Sequence, residues 1–138
     1  MATKNIFLQR LTDALAAITS ATRTWKVILL LLIVAVGYLA LSPAPPASID
    51  TGWDKLNHIL AFTALAFSGY LGLSASRGRR IFLLLALLGL GGAIELLQLL
   101  VPGRASEWGD LFADAIGIAC GALIATCVLR LASRKFWD

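Results

Sequence analysis

The chain has 138 residues, 59% of them apolar and 14% charged, with a formal net charge of +4 and a mean hydropathy of +0.83. Soluble domains are about 45–50% apolar and about 25% charged, so the composition argues for a membrane protein, and the length allows one domain at most. The positive balance does not make a nucleic-acid binder: the basic residues fall in short clusters between apolar runs, with no basic stripe interleaved with aromatics, which is how membrane spans are flanked.

Residues 1–22 read as a cytoplasmic amphipathic segment ahead of a transmembrane domain at 23–138. Phe7, Leu11, Leu15 and Ile18 recur at helical spacing, with Lys4, Gln9, Arg10 and Asp13 elsewhere on the wheel. That pattern fits a helix lying in the membrane interface, and equally a partly ordered tail. The first apolar stretch runs over Trp25–Leu41 and is stopped by Pro43, Pro45 and Pro46. The second covers Leu56–Leu73, and Gly78 marks the turn to the third, Ile81–Val101, which Pro102 and Gly103 end. The fourth is Leu111–Leu131. About 20 apolar residues cover the hydrocarbon core, and each stretch must be helical, because a lone strand leaves its backbone groups unpaired in lipid. The expected fold is an all-α membrane protein, a four-transmembrane-helix bundle with an N-terminal interfacial helix.

The basic residues set the expected topology. Lys4, Arg10, Arg23 and Lys26 precede or open the first span, Arg77, Arg79 and Arg80 lie between the second and third, and Arg130, Arg134 and Lys135 close or follow the fourth. With four spans these all fall on one side, leaving Lys55 and Arg104 on the other. Short basic segments stay cytoplasmic, so both termini are expected there and the loops after the first and third spans outside. The first span reads as a retained anchor. Small residues near Ala44–Ser48 mimic a signal-peptide cleavage site, but the proline run and the long lead-in argue against cleavage. Trp53 and Trp108 would anchor the external interface, Trp25 and Trp137 the cytoplasmic one.

Small residues recur along the spans: Ala64, Ser68 and Gly72 on the second, Gly89, Gly92 and Ala93 on the third, and Ala113, Gly117, Gly121 and Ala125 on the fourth. Such residues let helices approach closely, and packing is the main adhesion between helices in lipid. They also leave a homo-oligomer open. Cys120 and Cys127 share a face of one helix but stand about 10 Å apart by helix rise, too far for a disulfide, and read as small buried apolar residues.

Polar residues stand where a membrane helix should not carry them. Asp54, Lys55 and His58 open the second span, Glu95 and Gln98 interrupt the end of the third, Arg104 lies in the loop after it, and Asp110 and Asp114 begin the fourth. All lie toward the external side, and intramembrane ionisable groups mark a site by default. Glu95 lies about 10 Å below the external loop, where a carboxylate needs a cation, a donor or its own proton. His58, Arg104 and Lys55 are the candidate partners. Glu95, His58 and Asp114 are therefore the candidates for proton transfer. Asp54, Lys55, Gln98, Arg104 and Asp110 are the candidates for substrate binding, with Arg104 suited to grip a phosphate or carboxylate. Arg104 could equally pair with Glu107 or Asp110, and Asp110 could cap the fourth helix. No metal or other cofactor is expected: His58 could ligate a metal with Asp54, Glu95 or Asp114, but no second His or Cys stands near it in sequence.

These residues, in this order, resemble the VanZ-like family of small membrane proteins. That family's pattern runs roughly Asp-Lys-x-x-His, then Glu-x-x-Gln, an Arg, and Asp-x-x-x-Asn/Asp-x-x-Gly-x-x-x-Gly. Here it corresponds to Asp54-Lys55-Leu56-Asn57-His58, Glu95-Leu96-Leu97-Gln98, Arg104, and Asp110 to Gly117 with Gly121 following. Asp114 stands where Asn is common. The resemblance covers about half the chain. It implies a multi-pass protein of the bacterial inner (plasma) membrane and cell envelope, in a family named for a glycopeptide-resistance protein associated with reduced susceptibility to teicoplanin.

Two functions follow as expectations. In the first, an outward cleft binds or modifies an anionic lipid or lipid-linked cell-wall-precursor headgroup, with membrane lipids as partners and no nucleic acid. No nucleophile motif is visible, so whether the protein is an enzyme stays open. In the second, the protein is a non-catalytic binding or scaffold protein, and the polar residues are interhelical glue. Transport fits less well, because the four short spans show no inverted repeat and no broken midplane helix.

Overall fold

In the computed structural model the described residues are 2–43, 53–73, 76–104 and 106–133, with side chains described from residue 6 onward except at 8. They form five helices: α1 (Ala2–Ser20), α2 (Thr22–Ala40), α3 (Asp54–Leu73), α4 (Arg77–Gln98) and α5 (Trp108–Ser133). Helices α2 to α5 are long and apolar enough to cross a membrane. Pro45 and Pro46, the Ala44–Ser48 segment, Arg134, Lys135 and Trp137 lie outside the described residues, as does the side chain of Lys4.

Local chemistry moves two boundaries from their expected places. Helix α4 begins at Arg77 because Ser76 is its N-cap, the side-chain oxygen accepting from the Arg79 N–H at 3.4 Å. A capping serine satisfies one of the donors a helix start leaves open, so Gly78 sits inside the first turn and is not the turn itself. At its other end α4 stops at Gln98 instead of continuing to Val101. The N–H groups of Leu100 and Val101 bond back to Leu97 and Gln98 at 2.9 and 3.0 Å, tightening the chain. Pro102 lacks an N–H and disfavours helix in the residue before it. Gly103 then takes φ +83°, which glycine adopts without steric cost.

The central pair is α3 and α5; α2 packs on α3, α4 leans on both, and α1 packs on α5. Ala113, Gly117, Gly121 and Ala125 form the buried seam of α5. At Gly117 and Gly121 a side chain would run into the carbonyls of Ile59 and Thr63 on α3, and the Thr63 hydroxyl donates to the Gly117 carbonyl at 3.1 Å. Gly72 likewise lets α3 meet the backbone of Trp25 and Lys26 at the start of α2. On α4 the expected stripe is displaced. Gly89 and Gly92 face open space, while Gly91 lies against the Asp114 carboxylate.

The core is Leu29, Phe62, Leu65, Ala66, Leu83, Leu87, Ile94 and Ile118. Around it Leu30, Leu31, Val34, Phe82, Leu85, Phe112, Leu123 and Ile124 are exposed, an apolar belt far larger than soluble proteins carry and ordinary where the surroundings are hydrocarbon. Cys120 and Cys127 are exposed as well, not buried as expected. Lipid gives a small thiol no drive inward, and the seam facing α3 is already filled. Trp25 is half-buried; its Nε1–H donates to the Ile18 carbonyl at 2.8 Å and its ring packs edge-on to Phe67, tying the α1–α2 corner to α3.

Candidate functional site

The C-terminal ends of α2 and α4 and the N-terminal ends of α3 and α5 meet at one end of the bundle, and the polar residues gather there. Asp54 and His58 are one turn apart on α3, and Asp110 and Asp114 one turn apart on α5, so each pair shares a face. Gly91, Glu95 and Gln98 share a face of α4 in the same way.

The innermost contact is between His58 and Asp114, with Nδ1 and Oδ1 at 2.7 Å. Asp114 is 0% exposed. Its Oδ2 has no hydrogen-bond partner and abuts Gly91, so a side chain at position 91 would displace it. A carboxylate on Nδ1 fixes the ring's tautomer and orientation and leaves Nε2 free to exchange a proton. Nε2 lies 4.0 Å from Glu95 Oε1. Glu95 is buried. Its Oε2 accepts from the Glu107 N–H at 3.0 Å, and its Oε1 makes no hydrogen bond. Of the three cationic partners expected for Glu95, the structure brings His58 to it; Lys55 and Arg104 pair elsewhere.

Lys55 reaches the loop before α5, with Nζ 2.7 Å from Glu107 Oε2 and 3.5 Å from Asp110 Oδ1. The ammonium, by direct hydrogen bond and then by charge, holds the Glu107 carboxyl below the ordinary carboxylate range. Asp110 is 2% exposed and occupies the first turn of α5, where the helix dipole favours a negative charge. Arg104 donates from Nε to the Ser42 carbonyl at 3.2 Å and from Nη2 to the Leu39 carbonyl at 3.0 Å. Gln98 donates to the Ala40 carbonyl at 3.1 Å. Both therefore cap the open carbonyls at the end of α2. The remaining arginine nitrogen, Nη1, stands 3.9 Å from Asp54 Oδ1, so the acidic partner is Asp54 and not Glu107 or Asp110.

A cleft of about 340 Å³ opens between α2, α3 and α4. Asp54, Asn57, His58, Gln98 and Arg104 line its polar end; Leu32, Val36, Leu60, Ala61 and Ile94 line the rest. Glu95, Asp110 and Asp114 do not line it. Glu95 and Asp114 meet His58 from α4 and α5, and Lys55 also stands outside the lining, on Glu107 and Asp110. Sequence reasoning offered Glu107 only as a partner for Arg104 and missed that it joins Lys55 to Glu95; Gly91, which admits Asp114, it missed altogether. Gly91 stands four residues before Glu95 on its face, the one signal that singles it out.

The family described as VanZ/LLP1 matches residues 14–130, from within α1 almost to the end of α5. No curated protein and no solved structure matches the chain. The family match takes in all four long apolar helices and every residue of the polar cluster, and this multi-pass membrane protein belongs to the VanZ/LLP1 family.

Proposed function

We propose that this is an integral protein of the bacterial plasma membrane, both termini cytoplasmic, whose outward-facing cleft binds or modifies the headgroup of an anionic lipid or lipid-linked cell-wall precursor. The observation that carries the reading is the two-part lining of the cleft, polar at Asp54, His58, Gln98 and Arg104 and apolar along Leu32, Val36, Leu60 and Ile94. An amphiphile has that division, and a cleft between helices is open to it from the bilayer. In this reading Asp114 orients His58, Nε2 passes a proton to or from the bound headgroup, and Glu95 is the nearby second acceptor. Arg104 Nη1 faces the headgroup, and Asp110, behind the cleft wall, holds Lys55 in place. Helix α1 lies in the cytoplasmic interface. Its residues Phe7, Leu11 and Ile18 are exposed, and an interfacial helix sinks such a face into the headgroup region. A link to teicoplanin susceptibility follows if the ligand is a cell-wall precursor.

A second reading has its own support. Gln98 and Arg104 spend donors on the carbonyls of α2, which is what interhelical glue in a non-catalytic protein would do. Mass spectrometry of lipid co-purifying with the protein separates the two. The expected result is an anionic lipid enriched over the bulk membrane and lost when the cleft is filled by Ala61→Trp. If bound lipid mirrors the bulk membrane in both proteins, while His58→Gln and Glu95→Gln lower thermal stability, the glue reading stands and the cleft reading does not.

A further inference from the structure

The carboxylates around His58 outnumber the cations. Asp54, Glu95, Glu107, Asp110 and Asp114 converge on this end of the bundle, against Lys55 and Arg104. With all five ionised, even a protonated imidazole leaves two negative charges without a counterpart. The two cations are also largely committed. Lys55 lies closer to Glu107 than to Asp110, and Arg104 is engaged with two carbonyls. A buried carboxylate there needs a cation, a donor or its own proton, and a single bound cation would serve several of these groups at once.

One donor atom from each of Asp54, His58 and Asp110 lies within 4.8 Å of the other two, the separation that donors on a single ion of this size can take up with a small side-chain adjustment. With Nδ1 committed to Asp114, the ring offers Nε2. A ligating histidine almost always presents its other ring nitrogen to a carboxylate or carbonyl, which orients it and raises its basicity, and Asp114 stands in that position. Independently, Glu95 is 6% exposed, and its Oε1 has no hydrogen-bond partner and faces the same Nε2 at 4.0 Å. An ion held on Nε2 would have this unpartnered oxygen beside it.

We propose that Asp54, His58 and Asp110 form a divalent-cation site, with Asp114 as the carboxylate that orients the histidine and Glu95 beside the ion. Two carboxylates and one imidazole suit Zn²⁺ or Mn²⁺ better than Ca²⁺ or Cu⁺. The sequence argued against a metal because His58 has no His or Cys nearby along the chain. The fold supplies instead two aspartates from different helices. The site follows from these residues alone. Its consequence for ligands, that a carboxylate-walled end becomes able to hold an anionic headgroup through the cation, rests on the cleft reading above.

The test is equilibrium binding of Mn²⁺ and Zn²⁺ to the detergent-purified, chelator-treated chain without added lipid, read by elemental analysis and, for Mn²⁺, by electron paramagnetic resonance. The expected result is one saturable ion per chain, with affinity falling by at least about 10-fold in Asp54→Asn and Asp110→Asn. Nitrogen coupling to Mn²⁺ should vanish in His58→Gln. Asp54 is half exposed, so its variant keeps the fold, and a monodisperse elution profile checks that it has. Absence of saturable uptake, or equal affinity in wild type and Asp54→Asn, overturns the site. Because lipid is absent, that failure would leave the lipid reading to its own experiment.

Discussion

His58 is held by Asp114 on one ring nitrogen and faces Glu95 with the other. Removing one partner of a buried hydrogen-bonded pair leaves the other unsatisfied and costs about 1–3 kcal/mol, more where the group is charged. Asp114→Ala is therefore expected to lower the thermal stability of the purified protein sharply. Asp114→Asn should cost much less, because an amide oxygen can still accept from Nδ1–H. Thermal unfolding in detergent checks the order, wild type above Asn above Ala; equal melting for Asn and Ala would mean that the Nδ1 hydrogen bond does not hold the site. At this scale the sequence showed which residues matter but not who meets whom. Asp54, His58, Glu95 and Asp114 stand out as misplaced polar groups in apolar runs. Their pairing depends on how each helix is rotated about its axis, which the spacing does not encode. Glu107 escaped for that reason: its role appears only when α3 brings Lys55 and α4 brings Glu95 to the same loop.

The helices come together through small residues used on one side each. On α5, Gly121 packs on the Thr63 carbonyl and the Ala66 methyl, neither of which can move without shifting α3. Overfilling a packed site costs typically about 1–3 kcal/mol and at times more, so Gly121→Val is expected to destabilise the bundle or block its accumulation. Gly89 on α4 meets nothing within 4 Å, and Gly89→Ala is expected to be neutral or stabilising by up to about 1 kcal/mol through helix propensity. Thermal stability of the two variants in the same detergent checks the opposite signs. The α5 stripe was legible because four small residues at intervals of four leave little doubt about the packed face. The α4 stripe was not, since Gly89, Gly91, Gly92 and Ala93 cover several faces and hydropathy does not say which one meets Asp114. Nor does the sequence show that Gln98 and Arg104 cap α2, because a carbonyl left open at a helix end has no side-chain signature.

For the molecule as a whole, four long apolar segments were readable from composition alone, because a span must be long, apolar and internally hydrogen-bonded. The packing of α1 on α5 was not readable, since its apolar residues fit a membrane surface and a helix surface equally. The α5 seam is consumed within the chain by α3, so a homo-oligomer would need another face. The polar helix ends converge on one end of the bundle, and among the described residues Arg23, Lys26, Arg77, Arg79, Arg80 and Arg130 lie toward the other. The proposed function requires that this polar end open outward as a cleft. Its most direct test is labelling of Asn57→Cys, a position lining the cleft, in a background with Cys120 and Cys127 replaced by serine. The expected result is that a membrane-impermeant maleimide added to intact cells, or spheroplasts where an outer membrane intervenes, labels Asn57→Cys, whereas Ser133→Cys reacts only after permeabilisation. Labelling of Asn57→Cys from the cytoplasmic side alone would put the cleft on the inner face and overturn the outward-facing reading.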